Sequence, residues 1–136
     1  MTDLKKKLGN ATWRKYKDTT IDVDGEPLAL VIRRAPEGVA VQVLDEARKA
    51  GDIDQDGKPI GETGAMRLLA RMVATVTFEP GAVRPIFDRT SDEDLANISV
   101  APWLMDIKDD ATAALAATGT VVEKLKGNSE ATPIER

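Results

Sequence analysis

The chain has 136 residues, a length that suits one domain with its own core; 42% of them are hydrophobic and 31% charged, an ordinary globular mixture. It contains no Cys and no His, which excludes disulfides, thiol chemistry, Cys/His zinc sites and histidine-based catalysis. The net charge is −4, but Lys5, Lys6, Lys7, Arg14, Lys15 and Lys17 stand against Asp3 alone in residues 1–17, so the remainder is acidic.

Residues 1–12 read as a flexible basic arm, with Gly9-Asn10 as a local breaker. Such an arm suits nucleic acid or an acidic partner, or simply solvates. The acidic body is a poor surface for nucleic acid, whose affinity rests on neutralising phosphates, so no nucleic-acid partner is expected. No apolar run approaches the ~18–20 residues of a membrane span and no secretory core follows Met1, so a soluble, intracellular protein with no membrane partner is expected.

A β-hairpin is expected over 13–34. Trp13, Tyr16, Ile21 and Val23 are strand formers, and Asp24-Gly25 supplies the positive φ that a tight turn requires. Leu28, Leu30 and Ile32 then alternate with Ala29, Val31 and Arg33, the period of a half-buried strand. Arg33 and Arg34 close it, either as edge-strand charge or as a contact for an acidic partner.

A helix is expected over about 36–50. Pro36 suits its first turn, Glu37 favours its positive end, and Val39, Val43, Leu44 and Ala47 recur at spacings of three and four. Gly51 is placed to stop it. A second helix is expected over about 62–78, with Thr63 as its cap and a stripe of Met66, Leu69, Met72, Val73 and Val76. Arg67 and Arg71 fall one turn apart on the other face. Pro80-Gly81 ends that helix and "VRPIF" is an extended connector. A short helix over about 91–98 opens with Ser91 and Asp94 in a capping-box spacing. A last one, about 102–118, starts at Pro102 and carries Trp103, Leu104, Ile107, Ala111, Ala114 and Leu115. Residues 127–136 form a polar tail expected to be disordered, and 13–126 one globular domain. The fold class is mainly α with a small N-terminal β-hairpin, an α+β domain of about four helices.

The linker "GDIDQDGKPIGET" resembles a calcium loop. With Asp52 as its first position, Asp54, Asp56 and Gly57 fall at the third, fifth and sixth. The pattern then fails, because Pro59 takes the eighth position and Glu62 the eleventh, one short of the closing bidentate carboxylate. A solvated turn explains the composition better. Asp52, Asp54, Asp56 and Glu62 are therefore only weak metal candidates, and no metal or cofactor is expected. Paired carboxylates such as Asp92/Asp94 and Asp106/Asp109/Asp110 have simpler roles at a helix start and on a solvated helix face, so no catalytic residues are assigned. "GETGAMR" lacks the Lys-Ser/Thr ending of a phosphate loop. Trp103 behind Pro102 is either core or an exposed binding anchor.

The order of segments carries a further signal. "IDVDGEPLALVIRRAP" leads into a helix, "LLARMVATVTFEPG" follows, then "DRTSDEDLANISVAPWLMDIKDDATAAL", and finally "KLKGNSE". Over about residues 14–128 this layout resembles the tail assembly chaperones of long-tailed bacteriophages. The resemblance rests on order and spacing rather than on a diagnostic residue, and the long Asp-rich loop departs from shorter members. It implies a non-enzymatic protein of the host cytoplasm that binds the tape measure protein, keeps it soluble, recruits tail tube subunits and is absent from the finished virion. It also implies possible self-association or a longer frameshifted form.

A holdase of this kind needs amphipathic surface to shield a client helix. Met66 and Met72 on one helix, Trp103 at the start of another, and Arg33 and Arg34 are the candidate partner-binding residues, with core packing the alternative for the two helices. Two other readings stay open: a structural virion component, such as a head–tail connector or tube protein, and a calcium-binding module.

Overall fold

The computed structural model describes residues 2–9 and 13–115. Residues 116–118 of the last expected helix and the tail 127–136 lie outside them. The described residues form an α+β domain in which an N-terminal hairpin belongs to a three-stranded antiparallel sheet. No helix among them is long and apolar enough to cross a membrane.

Residues Thr2–Gly9, inside the stretch 1–12 expected as a flexible basic arm, form helix α1. Asp3 in its first turn and Lys6 and Lys7 in its last complement the helix dipole, a signal the lysine run obscured. Strands β1 (Lys15–Val23) and β2 (Glu26–Arg33) then pair in antiparallel register from Val23↔Glu26 back to Lys15↔Arg33, with one irregularity at Tyr16. Their turn has φ of 54° at Asp24 and 85° at Gly25, the double positive φ of a tight hairpin. Strand β3 (Thr77–Phe78) adds on the other side of β2 through Val31↔Phe78 and Ile32↔Thr77. β2 is thus the central strand, so Arg33 is not on an edge strand, and Arg34 lies beyond the strand's end.

The simple alternation expected along β2 also gives way. Near the turn Leu28 is exposed, whereas Leu30, Val31 and Ile32 are all buried. Leu30 and Ile32 face the helices. Val31 lies opposite Phe78, whose ring meets Trp13 edge-on at 5.7 Å and lies 5.2 Å beneath the Arg33 guanidinium. A second small cluster therefore covers the other face of this end of the sheet.

Helix α2 (Glu37–Lys49) buries Ala40, Val43, Leu44 and Ala47. It ends in a Schellman arrangement: Gly51, at φ 84°, donates its N–H to the Arg48 carbonyl, and Asp52 donates its N–H to that of Ala47 at 2.9 Å. Helix α3 (Gly61–Val76) is the central element, packed against α2, α4 (Asp92–Ser99) and α5 (Leu104–Leu115). Its cap position is Ile60, with no side-chain cap; Thr63 lies inside the helix, and residues 77–78 leave it as β3. α4 is capped as expected at one bond, with Ser91 Oγ accepting from the Asp94 N–H at 3.2 Å. Leu95 and Ile98 of α4, with Leu104, Ile107, Ala111, Ala114 and Leu115 of α5, complete the core against α3.

Candidate partner-binding surface

The Asp-rich linker folds inward at one end and turns in water at the other. Asp52 is buried, and both its carboxylate oxygens accept from arginines: Oδ2 from Arg71 at 2.8 Å, Oδ1 from Arg67 at 3.0 Å. Arg71, off the apolar stripe of α3, is itself only 4% exposed. Asp54 Oδ1 accepts the N–H groups of Asp56 and Lys58, and Gly57 at φ 87° closes the turn. An Ile53↔Pro59 bridge ties its ends together. Asp52 is thereby committed to guanidinium groups, and Glu62 sits exposed in the first turn of α3. No group of three potential ligands able to hold a metal occurs among the described residues. The arrangement is a buried ion-pair hinge between α2 and α3.

The arginines extend this network across three elements. Arg67 also binds Asp92 of α4 at 3.1 Å, and that hydrogen bond, ahead of the one to Asp52, raises its pKa above the ordinary arginine value. Arg71 donates to the Arg89 carbonyl at 3.0 Å. The Arg89 side chain in turn grips Glu46 of α2, with Nε donating at 2.9 Å, and donates to Gln42 at 3.1 Å. These bonds fix the connector between β3 and α4. Further fasteners are the Phe78↔Pro85 bridge, the Ile86 N–H on the Thr77 carbonyl, and the Asp88 N–H on Asp94 Oδ2 at 2.7 Å. Thr90 donates its hydroxyl (2.6 Å) and N–H (2.9 Å) to Asp88 Oδ1, which lowers the pKa of Asp88.

Held this way, residues 84–90 form one wall of an open groove of about 440 Å³ whose floor includes Ala74 and Thr75 of α3. Phe87 lines it and stacks on Trp103 with ring centroids 6.0 Å apart and planes 19° from parallel. Arg84 lines it too, exposed and without an ion pair among the described residues. Val83 and Ile86, on the same connector, are exposed at 65% and 41%. A groove with an aromatic wall, exposed apolar flanks, and both a cation (Arg84) and an anion (Asp88) in its lining suits an amphipathic helix that carries charged groups beside its apolar stripe.

The five candidate partner-binding residues do not converge. Trp103 does not line the groove but stands half-buried behind Phe87, which does. Met66 is exposed near the start of α3, whereas Met72 is buried at 4% in the core and is withdrawn as a surface residue. Arg33 covers Phe78 and donates to the Trp13 carbonyl at 3.1 Å, so it is internal. Arg34 is exposed, its guanidinium 4.8 Å over the Tyr16 ring. Phe87, Arg84 and Ile86 were missed because the connector has no periodicity to mark an inner and an outer side.

Comparison with known proteins gives no match: no family model, no curated protein and no solved structure is similar to this chain.

Proposed function

We propose that the chain is a tail assembly chaperone of a long-tailed bacteriophage, a binding protein that keeps the tape measure protein soluble and recruits tail tube subunits to it. The order of segments supports the family. The observation that carries the mechanism is the preformed groove at Phe87, whose ring is backed by Trp103, flanked by exposed Val83 and Ile86 and anchored by Arg89 and Arg71. A client helix laid across it buries apolar surface that would otherwise aggregate, and Arg84 sets its register through a carboxylate. No covalent step is needed, which suits a chain without His or Cys. The client leaves when tube subunits compete for the same stripe.

The test is co-expression with the long helical protein encoded downstream, measuring its soluble fraction with and without this chain. The expected result is co-purification and a gain in client solubility, both lost in Phe87→Ser and Ile86→Ser variants that still fold. A client equally soluble alone and never captured refutes the reading. Detection of the chain in purified virions would move it to a structural role.

A further inference from the structure

Helix α1 presents a physical problem. It has eight residues, and helices shorter than about 12–15 residues are marginal in water without packing. Its one apolar stripe, Leu4 and Leu8 a turn apart, is 61% and 71% exposed. Lys5, Lys6 and Lys7 surround that stripe. A helix of this kind is stable only when its face is covered, and the cover must be apolar in the middle and acidic at the rim.

The corner between α4 and α5 has that chemistry. A tight turn, with the Ala101 N–H on the Ile98 carbonyl and the Leu104 N–H on that of Ala101, brings the two helices together. Val100, at 80% exposure, and Met105, at 61%, stand out of it. Asp109 follows Met105 by one turn on the outer face of α5, with Asp106 beside it, and Glu93 lies two turns before Val100 along α4. All three carboxylates are exposed, and neither Asp106 nor Glu93 has an ion pair among the described residues. Among the described residues of one copy, nothing covers α1 or this corner.

We propose that α1 of one copy docks on the α4–α5 corner of a second copy, Leu4 and Leu8 against Val100 and Met105, with the lysines facing Asp106, Asp109 and Glu93. The exchange is reciprocal, so the two contacts close a two-fold dimer, each raising the effective concentration of the other. The inference stands apart from the chaperone reading, because it uses neither the groove nor a client.

Charge reversal tests it. One variant carries Lys5→Glu, Lys6→Glu and Lys7→Glu; the other carries Asp106→Lys and Asp109→Lys. Every changed residue is exposed, and circular dichroism checks that both variants fold. In sedimentation equilibrium at about 10–100 μM, a range for weak complexes, the unaltered chain should approach twice its 14.7 kDa mass. Each variant alone should lose at least about tenfold in dimer affinity. Mixed, they should recover it, since each helix then meets a corner of opposite charge in both contacts. Leu4→Ser with Leu8→Ser should give a monomer that mixing does not rescue. A monomeric unaltered chain overturns the proposal, as does a dimer untouched by either reversal or a mixture that stays monomeric.

Discussion

Replacing Asp52 by Ala should be among the most damaging single changes in this protein. The Arg71 and Asp52 side chains are 4% and 6% exposed and meet at 2.8 Å. Without Asp52, Arg71 keeps one acceptor, the Arg89 carbonyl, while its Nε is already buried without a partner. Removing one member of a buried ion pair costs about 3–5 kcal/mol, because a charge is left desolvated. The loss at Arg67 is smaller: it is one-quarter exposed and retains Asp92, so at most about 1 kcal/mol is at stake there. The backbone of Asp52 is held independently, its N–H on Ala47 and its carbonyl accepting from Ile60, so the substitution probes the side chain. Against a usual total stability of about 5–15 kcal/mol, urea unfolding should shift its midpoint down by about 2 M. Arg71→Met in the Asp52→Ala background should recover much of the loss, since an apolar replacement leaves no orphan charge. A cost for Asp52→Ala below about 1 kcal/mol, or strict additivity of the two changes, refutes the reasoning.

Three other outcomes are expected. Gly64 lies so close to the Asp52 carbonyl oxygen that an added Cβ would overlap it, so Gly64→Ala should lower the melting temperature by roughly 5–10 °C, whereas Gly38→Ala in α2, with open space around it, should leave it unchanged or raise it. Thr90→Val should raise the pKa of Asp88 toward the ordinary carboxylate value in an NMR titration, because it removes the hydroxyl that favours the charged form. The lowered folded-state pKa means that this contribution to stability is present above the unfolded-state pKa and lost as pH falls through the folded one, so the variant should depend less on pH in that acidic window. Calorimetry with calcium should show no stoichiometric heat at about micromolar concentrations, the range of sensor loops; a signal there would require Asp52 to leave its arginines.

Local chemistry was legible where a few adjacent residues decide the outcome. Asp24-Gly25 dictated the turn, Gly51 the end of α2, Ser91 the start of α4, and the three-four spacing of Val39, Val43, Leu44 and Ala47 the inner face of a helix. What failed depends on partners distant in sequence. Arg71 sits one turn from Arg67 off the apolar stripe, and nothing local names its partner Asp52, 19 residues earlier. Val31 reads as an outward residue until Phe78 pairs with it. Met72 reads as adaptable surface, yet α3 is covered by three helices and has little outer face.

The buried arginines and the exposed groove are two parts of one arrangement. The segment 84–90 has no regular secondary structure, so its own backbone hydrogen bonds cannot fix it. It is held because Arg71 reaches its carbonyl at residue 89, Arg89 reaches back to Glu46, and Asp94 takes the Asp88 N–H. Each fastener spans a different helix, and Asp52 neutralises the arginine at their centre. A surface held in this way loses little entropy when a partner docks, since its side chains are already ordered. Loosening the network should therefore weaken binding without touching a contact residue. Glu46→Gln, which leaves the groove lining unaltered, should reduce client capture less than Phe87→Ser but measurably.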